Sequence, residues 1–202
     1  MAEDLNVHAK VAMADVFGCL LVGWVAFFVA AFGFKIIPGA GGFINVLFAT
    51  GIGCAIVTYF MFKNENILGT AIFGPLCVSF IAYALAAWGV FGLAPLGNEL
   101  GLLIGFVGLI LLIDAILSLF QPVKMLSVVL FIAAIAYFIL GYTLSVLYTQ
   151  TPSQATVDSL LMMIGIFFAL LCITATYLGT AVCAFVMKGK PILPLLIMAP
   201  KK

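Results

Sequence analysis

LGLLIGFVGLILLIDAILSLFQPVKMLSVVLFIAAIAYFILGYTLSVL, residues 100–147, is two long apolar runs joined by Gln121-Pro122-Val123-Lys124. About 20 apolar residues suffice to cross the hydrocarbon core of a bilayer as a helix. In lipid, each backbone polar group needs a partner within its own segment, so such runs are read as helices. The four-residue break is turn-like, which makes the two runs antiparallel neighbours. One residue disturbs the pattern. Asp114 sits among Leu, Ile and Phe, where a carboxylate costs several kcal/mol unless it is paired, hydrated or protonated.

The rest of the chain repeats this architecture. Its 202 residues are 66% hydrophobic and 7% charged, with a mean hydropathy of +1.38; soluble domains carry about 25% charge. The expected class is an all-α integral membrane protein, a single unit over residues 1–202. Six spans are expected, at approximately Val16–Phe34, Phe43–Phe62, Ile67–Leu93, Leu100–Phe120, Met125–Leu147 and Leu160–Met187. The third and sixth exceed the minimum, so tilt, a kink or extension past the bilayer is expected. The first fifteen residues lack a basic leader region and read as a polar tail before an uncleaved first span.

Orientation follows lysine. Lys10, Lys63, Lys124, Lys188, Lys190, Lys201 and Lys202 fall on one side and Lys35 alone on the other. By the positive-inside rule both termini are cytoplasmic, in a multi-pass protein of the plasma or inner membrane. Small residues recur within the spans, including a GxxxG at Gly101 and Gly105. They serve close helix packing, either within the chain or between subunits.

Several function classes are disfavoured. A net charge of +1 offers no nucleic acid a basic surface. Cys19, Cys54, Cys77, Cys172 and Cys183 lie in apolar runs without metal-ligand spacing and read as small buried hydrophobes. His8, the one histidine, falls in the polar tail. Neither a nucleophile–base pair nor a metal motif is visible, so no enzyme, metal or cofactor is expected.

Depth brings polar groups into one layer. At 1.5 Å per residue, Asp114 lies roughly 9 Å from the inner edge, Gly74-Pro75 roughly 11 Å, Thr180 roughly 10 Å and Tyr177 roughly 15 Å. Pro75 disturbs the helix one turn before it, and a helix break at Gly74-Pro75 would turn a partly positive helix end toward a small anion. Trp24, roughly 12 Å deep, is read as packing or lining a path.

Two stretches carry more than generic six-span character: KNENILGTAIFGPLCVSF at 63–80 and ATYLGTAVCAFVMKGKPILPLL at 175–196. Together they resemble the acetate uptake transporter family, the succinate–acetate permease type with yeast ammonia/acetate exporter relatives. In that family an Asn-x-x-Gly leads into span three and is followed by a phenylalanine; Asn66, Gly69 and Phe73 match. Span six reads Ala-x-Tyr-Leu and is followed by Gly-Arg-x-x-Leu-Pro. Ala175, Tyr177 and Leu178 match, then Gly189, Lys190 in place of Arg, Leu193 and Pro194. The hallmark Asn-Pro-Ala-Pro-Leu-Gly-Leu before span one is absent; MADVFGC stands there, with Gly18 matching its glycine. Leu76 and Ala133 occupy the family's constriction positions in spans three and five.

The resemblance implies a transporter or channel for a small monocarboxylate such as acetate, assembled as a homo-oligomer, a hexamer in that family. The expected path passes Trp24, Phe73, Leu76, Ala133, Tyr177 and Thr180. Asp114 is expected to handle protons in an acid–proton symport. Two alternatives stay open: a channel for a small neutral solute of the urea or amide type, and a membrane subunit or scaffold that transports nothing.

Overall fold

The structure, a computed structural model, describes residues 2–37, 41–89, 98–189 and 192–195, with the backbone alone for residues 2–13 and 41–42. Six helices follow one another: α1 Ala2–Gly33, α2 Gly41–Lys63, α3 Ile67–Ala87, α4 Asn98–Ser118, α5 Lys124–Thr149 and α6 Gln154–Lys188. All six are long and apolar enough to cross a membrane, and no strand occurs among the described residues. Lys63, Lys124 and Lys188 gather at one end of the bundle, called the inner end below.

Local chemistry sets the helix ends. Asn66 caps α3, its side chain accepting from Gly69 N at 2.9 Å. Ser153 caps α6 by accepting from Thr156 N at 3.3 Å. That cap starts α6 at Gln154 rather than Leu160. Its 35 residues span about 52 Å, well beyond a hydrocarbon core of about 30 Å, so α6 projects past the bilayer. α6 closes at Gly189, whose φ of 65° is the left-handed conformation glycine adopts without a Cβ penalty.

α1 extends before the expected first span, with residues 2–15 also helical. Two sequence expectations are corrected. α3 ends at Ala87 with Trp88 as its C-cap, short of Leu93, which lies outside the described residues. α3 also runs through Gly74 and Pro75 without a break, and the Pro75 carbonyl accepts from Ser79 Oγ at 2.7 Å. The local disturbance that proline causes is absorbed inside a continuous helix, so no half-helix end is created there.

The helices pack as a ring in chain order. Each of α1 to α5 contacts the next and α6 closes back on α1, with α4 on α5 and α1 on α6 the most extensive pairs. Glycine permits the closest of these. A Cβ on Gly33 would lie 2.4 Å from Gly165 N, and one on Gly141 would lie 2.8 Å from both Gly101 O and Gly105 N. The Gly101–Gly105 pair is thus used within the chain, against α5. At the outer end, Lys35 Nζ pairs with Asp158 Oδ1 at 2.6 Å, tying the turn after α1 to the start of α6.

Candidate functional site

The ring encloses a cavity of about 670 Å³ on its inner side. Each helix that borders it supplies one stripe at helical spacing. α1 gives Asp15, Cys19 and Val22; α3, with its cap, gives Asn66, Gly69, Ile72, Phe73 and Leu76. α5 gives Leu126, Val129, Leu130, Ala133 and Tyr137, and α6 gives Ala175, Leu178, Val182 and Val186. α4 contributes Leu111, and Gln121, Pro122 and Val123 of the following turn border the mouth together with Gly189 and Leu195. The wall on α5 rises from Val123 to Tyr137, about 21 Å at 1.5 Å per residue, so the cavity reaches the middle of the bundle. Beyond that level Val25, Ala26, Val29, Phe80, Phe168 and Leu171 are buried in the packed core, with the Tyr137 and Phe168 ring centroids 5.8 Å apart.

The wall is mostly apolar, and its few polar groups are positioned for identifiable reasons. Asn66 is the clearest case. Its Oδ1 is occupied capping α3, which turns its amide NH2 toward Asp15 Oδ1 at 3.4 Å and Met61 Sδ at 3.3 Å. Gly69 gives this cap its room, since a Cβ there would lie 2.8 Å from Met61 Sδ and 3.1 Å from the Asn66 amide. Gly18 has a similar relation to Phe73: a Cβ on it would meet the ring at 2.3 Å. The Phe73 ring is thus seated against α1 at Gly18.

The span-six motif and the segment after it are also joined in space. Ala175 and Leu178 are buried and line the cavity. Between them in sequence, Tyr177 donates its hydroxyl to Pro194 O at 3.0 Å. Met125 N, an early donor of α5, reaches Leu195 O at 3.4 Å, and the Leu195 side chain is buried in the core. Residues 192–195 are thereby held across the inner mouth, with Leu193 packed partly buried against the core. Lys190 lies outside the described residues.

Of the residues expected along a path, Phe73, Leu76 and Ala133 are buried on the cavity wall. Three are placed elsewhere. Trp24 is 59% exposed, on the outward face of α1; Thr180 is exposed and bonds back to Thr176 O; Tyr177 anchors the segment around Pro194. A helix shows opposite faces at residues two positions apart, so depth alone could not tell these from lining residues. Asp114 also lies off the wall. It is 3% exposed, its Oδ2 has no hydrogen-bond partner, and one turn on Ser118 shares a 2.8 Å hydrogen bond with Ser127 across α4 and α5. Among the described residues, the acid that does line the cavity is Asp15. Its place in the mixed-charge N-terminal stretch hid it, although Asp15, Cys19 and Val22 already have the spacing of one helix face.

No family model matches the sequence, and no curated protein matches it. Among solved structures, the chain is similar in fold to the bacterial acetate channel SatP, with a TM-score of 0.77 over 90% of this chain and 97% of that one, at 15% sequence identity. The six-helix fold expected from the family resemblance is the fold found.

Proposed function

We propose that the chain is a multi-pass membrane channel or transporter for a small monocarboxylate such as acetate, with the inner cavity as its solute path. The observation that carries the reading is the cavity itself. About 670 Å³ lies within the range of about 300–1,000 Å³ typical of small-molecule sites, and it is far larger than a two-carbon acid needs. The shared fold with an acetate channel supports the same reading.

The wall suits passage better than retention. The chain has no arginine, so the bidentate clamp that binds carboxylates tightly is missing. Asn66, Gln121 and the Tyr137 hydroxyl offer weak, separate contacts, and a permeant must leave as readily as it enters. Phe73, Leu76 and Ala133 form the wall at the level where the resemblance puts the constriction. Residence in the cell membrane, coupling of uptake to protons and assembly into a homo-oligomer belong to this proposal. The neutral amide side chains on the wall keep a urea- or amide-type solute as a second reading.

Purified protein in liposomes, given labelled acetate with and without an inward proton gradient, tests the proposal. Protein-dependent uptake stimulated by the gradient supports it. Uptake blocked by urea but indifferent to other short acids would shift the substrate to neutral amides. Folded, inserted protein that moves neither solute would leave a scaffold role instead. The mass of the detergent-solubilised particle reads the oligomeric state.

A further inference from the structure

We propose that Asp15 is the charge filter of the cavity: it turns back the carboxylate anion, so that the acid crosses in its neutral, undissociated form. The proposal rests on the channel reading and goes beyond it by naming the permeant's protonation state and the residue that selects it.

Asp15 stands on the wall of the cavity near its inner mouth, one turn before Cys19 on the same face of α1. Its side chain is half-buried, and among the described residues the polar side chain bonded to it is the Asn66 amide, at 3.4 Å. The groups sharing the wall from the other elements are neutral: Gln121 of the α4–α5 turn, Tyr137 of α5, and the aliphatic residues of α5 and α6. Among the described residues no cationic side chain lines the cavity. Three lysines at this end have described side chains, and none of them lines the cavity. Lys63 Nζ lies 5.3 Å from the centroid of the Tyr59 ring, Lys124 Nζ donates to Leu119 O and Gln121 O, and Lys188 is exposed. Among the described lining residues, Asp15 is therefore the one acidic group on an apolar wall, and no cation offsets it.

The consequence is electrostatic. Two like unit charges about 6 Å apart, at an effective dielectric constant of about 20, disfavour occupancy by about a hundredfold relative to a neutral solute. The apolar wall offers the anion nothing to recover that loss. An undissociated acid escapes the repulsion and can donate its O–H to the same carboxylate.

The test compares labelled-acetate uptake in proteoliposomes with acetate-carried current across planar bilayers. Wild-type protein is expected to show uptake with little current. Asp15→Asn is expected to raise the acetate current by about a hundredfold, while Asp15→Glu, which keeps the charge, stays electrically quiet. Equal acetate currents in wild type and Asp15→Asn, alongside uptake in both, would overturn the filter and leave the channel reading standing. The same holds if Asp15→Asn takes up acetate but remains silent. Wild-type protein that is helical by circular dichroism yet shows neither uptake nor current would overturn the channel reading, and the filter with it.

Discussion

Gly18→Ala changes one hydrogen to a methyl group and tests the cavity directly. The added Cβ would lie 2.3 Å from Phe73 Cζ and 2.8 Å from both Cε atoms. Ordinary contact begins near 3.4 Å, so the ring must retreat by about 1 Å. It is held on α3, is 6% exposed and lines the cavity, so the open direction for its retreat is into the cavity. Overpacking of this kind costs about 1–3 kcal/mol. A solute passing the displaced ring must press it back against the new methyl, which adds an energy of the same order to the barrier. That corresponds to uptake about five- to 160-fold slower, at 1.36 kcal/mol per decade. Initial rates of labelled-acetate uptake measure the flux, and the midpoint of thermal unfolding in detergent measures the strain. Phe73→Leu removes the colliding ring atoms, so Gly18→Ala/Phe73→Leu should recover most of both losses, with a coupling of at least about 1 kcal/mol. Normal uptake and stability in Gly18→Ala, or strictly additive losses in the double variant, would refute the reasoning.

Asn66→Ala removes the α3 cap and should cost about 1 kcal/mol, read as a lower unfolding midpoint; Asn66→Asp can still cap and, by setting a second carboxylate beside Asp15, should lower any residual acetate current while leaving uptake of the neutral acid near the wild-type rate. Asp114→Asn should leave the rate and pH profile of uptake within about twofold of wild type, because the side chain is off the cavity wall; a flattened profile would restore Asp114 to the path. Asp114→Leu should hold or raise the unfolding midpoint, since a buried polar atom without a partner costs about 1–3 kcal/mol, and a clear loss of stability would show an unseen partner. Phe168→Leu should speed uptake by loosening the layer above Tyr137, at less than the about 3–5 kcal/mol of a Phe→Ala truncation; unchanged flux would put the barrier elsewhere.

The fold was legible because lipid leaves a chain few options. Long apolar runs separated by Lys63–Asn66 or Gln121–Lys124 must be helices, and lysine bias orders their ends. The site was legible in part. Phe73, Leu76 and Ala133 were found through motif positions, although Tyr177, matched in the same way, anchors Pro194 instead of lining the wall. Trp24, Thr180 and Asp114 were singled out by depth and chemical type, which do not say which face a residue occupies, since in a span hydrophobic on all sides apolarity does not mark the inward face. Asp114 drew attention for its contrast with its surroundings, whereas Asp15 merged with a polar stretch that turns out to be the first turns of α1. The Tyr177–Pro194 contact joins residues 17 apart across the end of a helix, and nothing in periodicity anticipates it.

The same packing that closes the outer half explains why the cavity opens inward. The glycine contacts under 3 Å to backbone, Gly33 on Gly165 and Gly141 on Gly101 and Gly105, all lie toward the outer end. There, the α1–α6 and α4–α5 pairs meet backbone to backbone. Toward the inner end the glycine at the corresponding place on α1, Gly18, instead receives the ring of Phe73. Phe73 thus stands between α3 and α1, and Tyr137 packs on Phe168 between α5 and α6. Separation of the outer backbone contacts would disturb two helix pairs at once, whereas rotation of Tyr137 and Phe168 disturbs two side chains. On the channel reading proposed above, access from outside is set by the ring pair rather than by rigid movement of the helices, and this is why Phe168 is the side chain whose reduction should open the path.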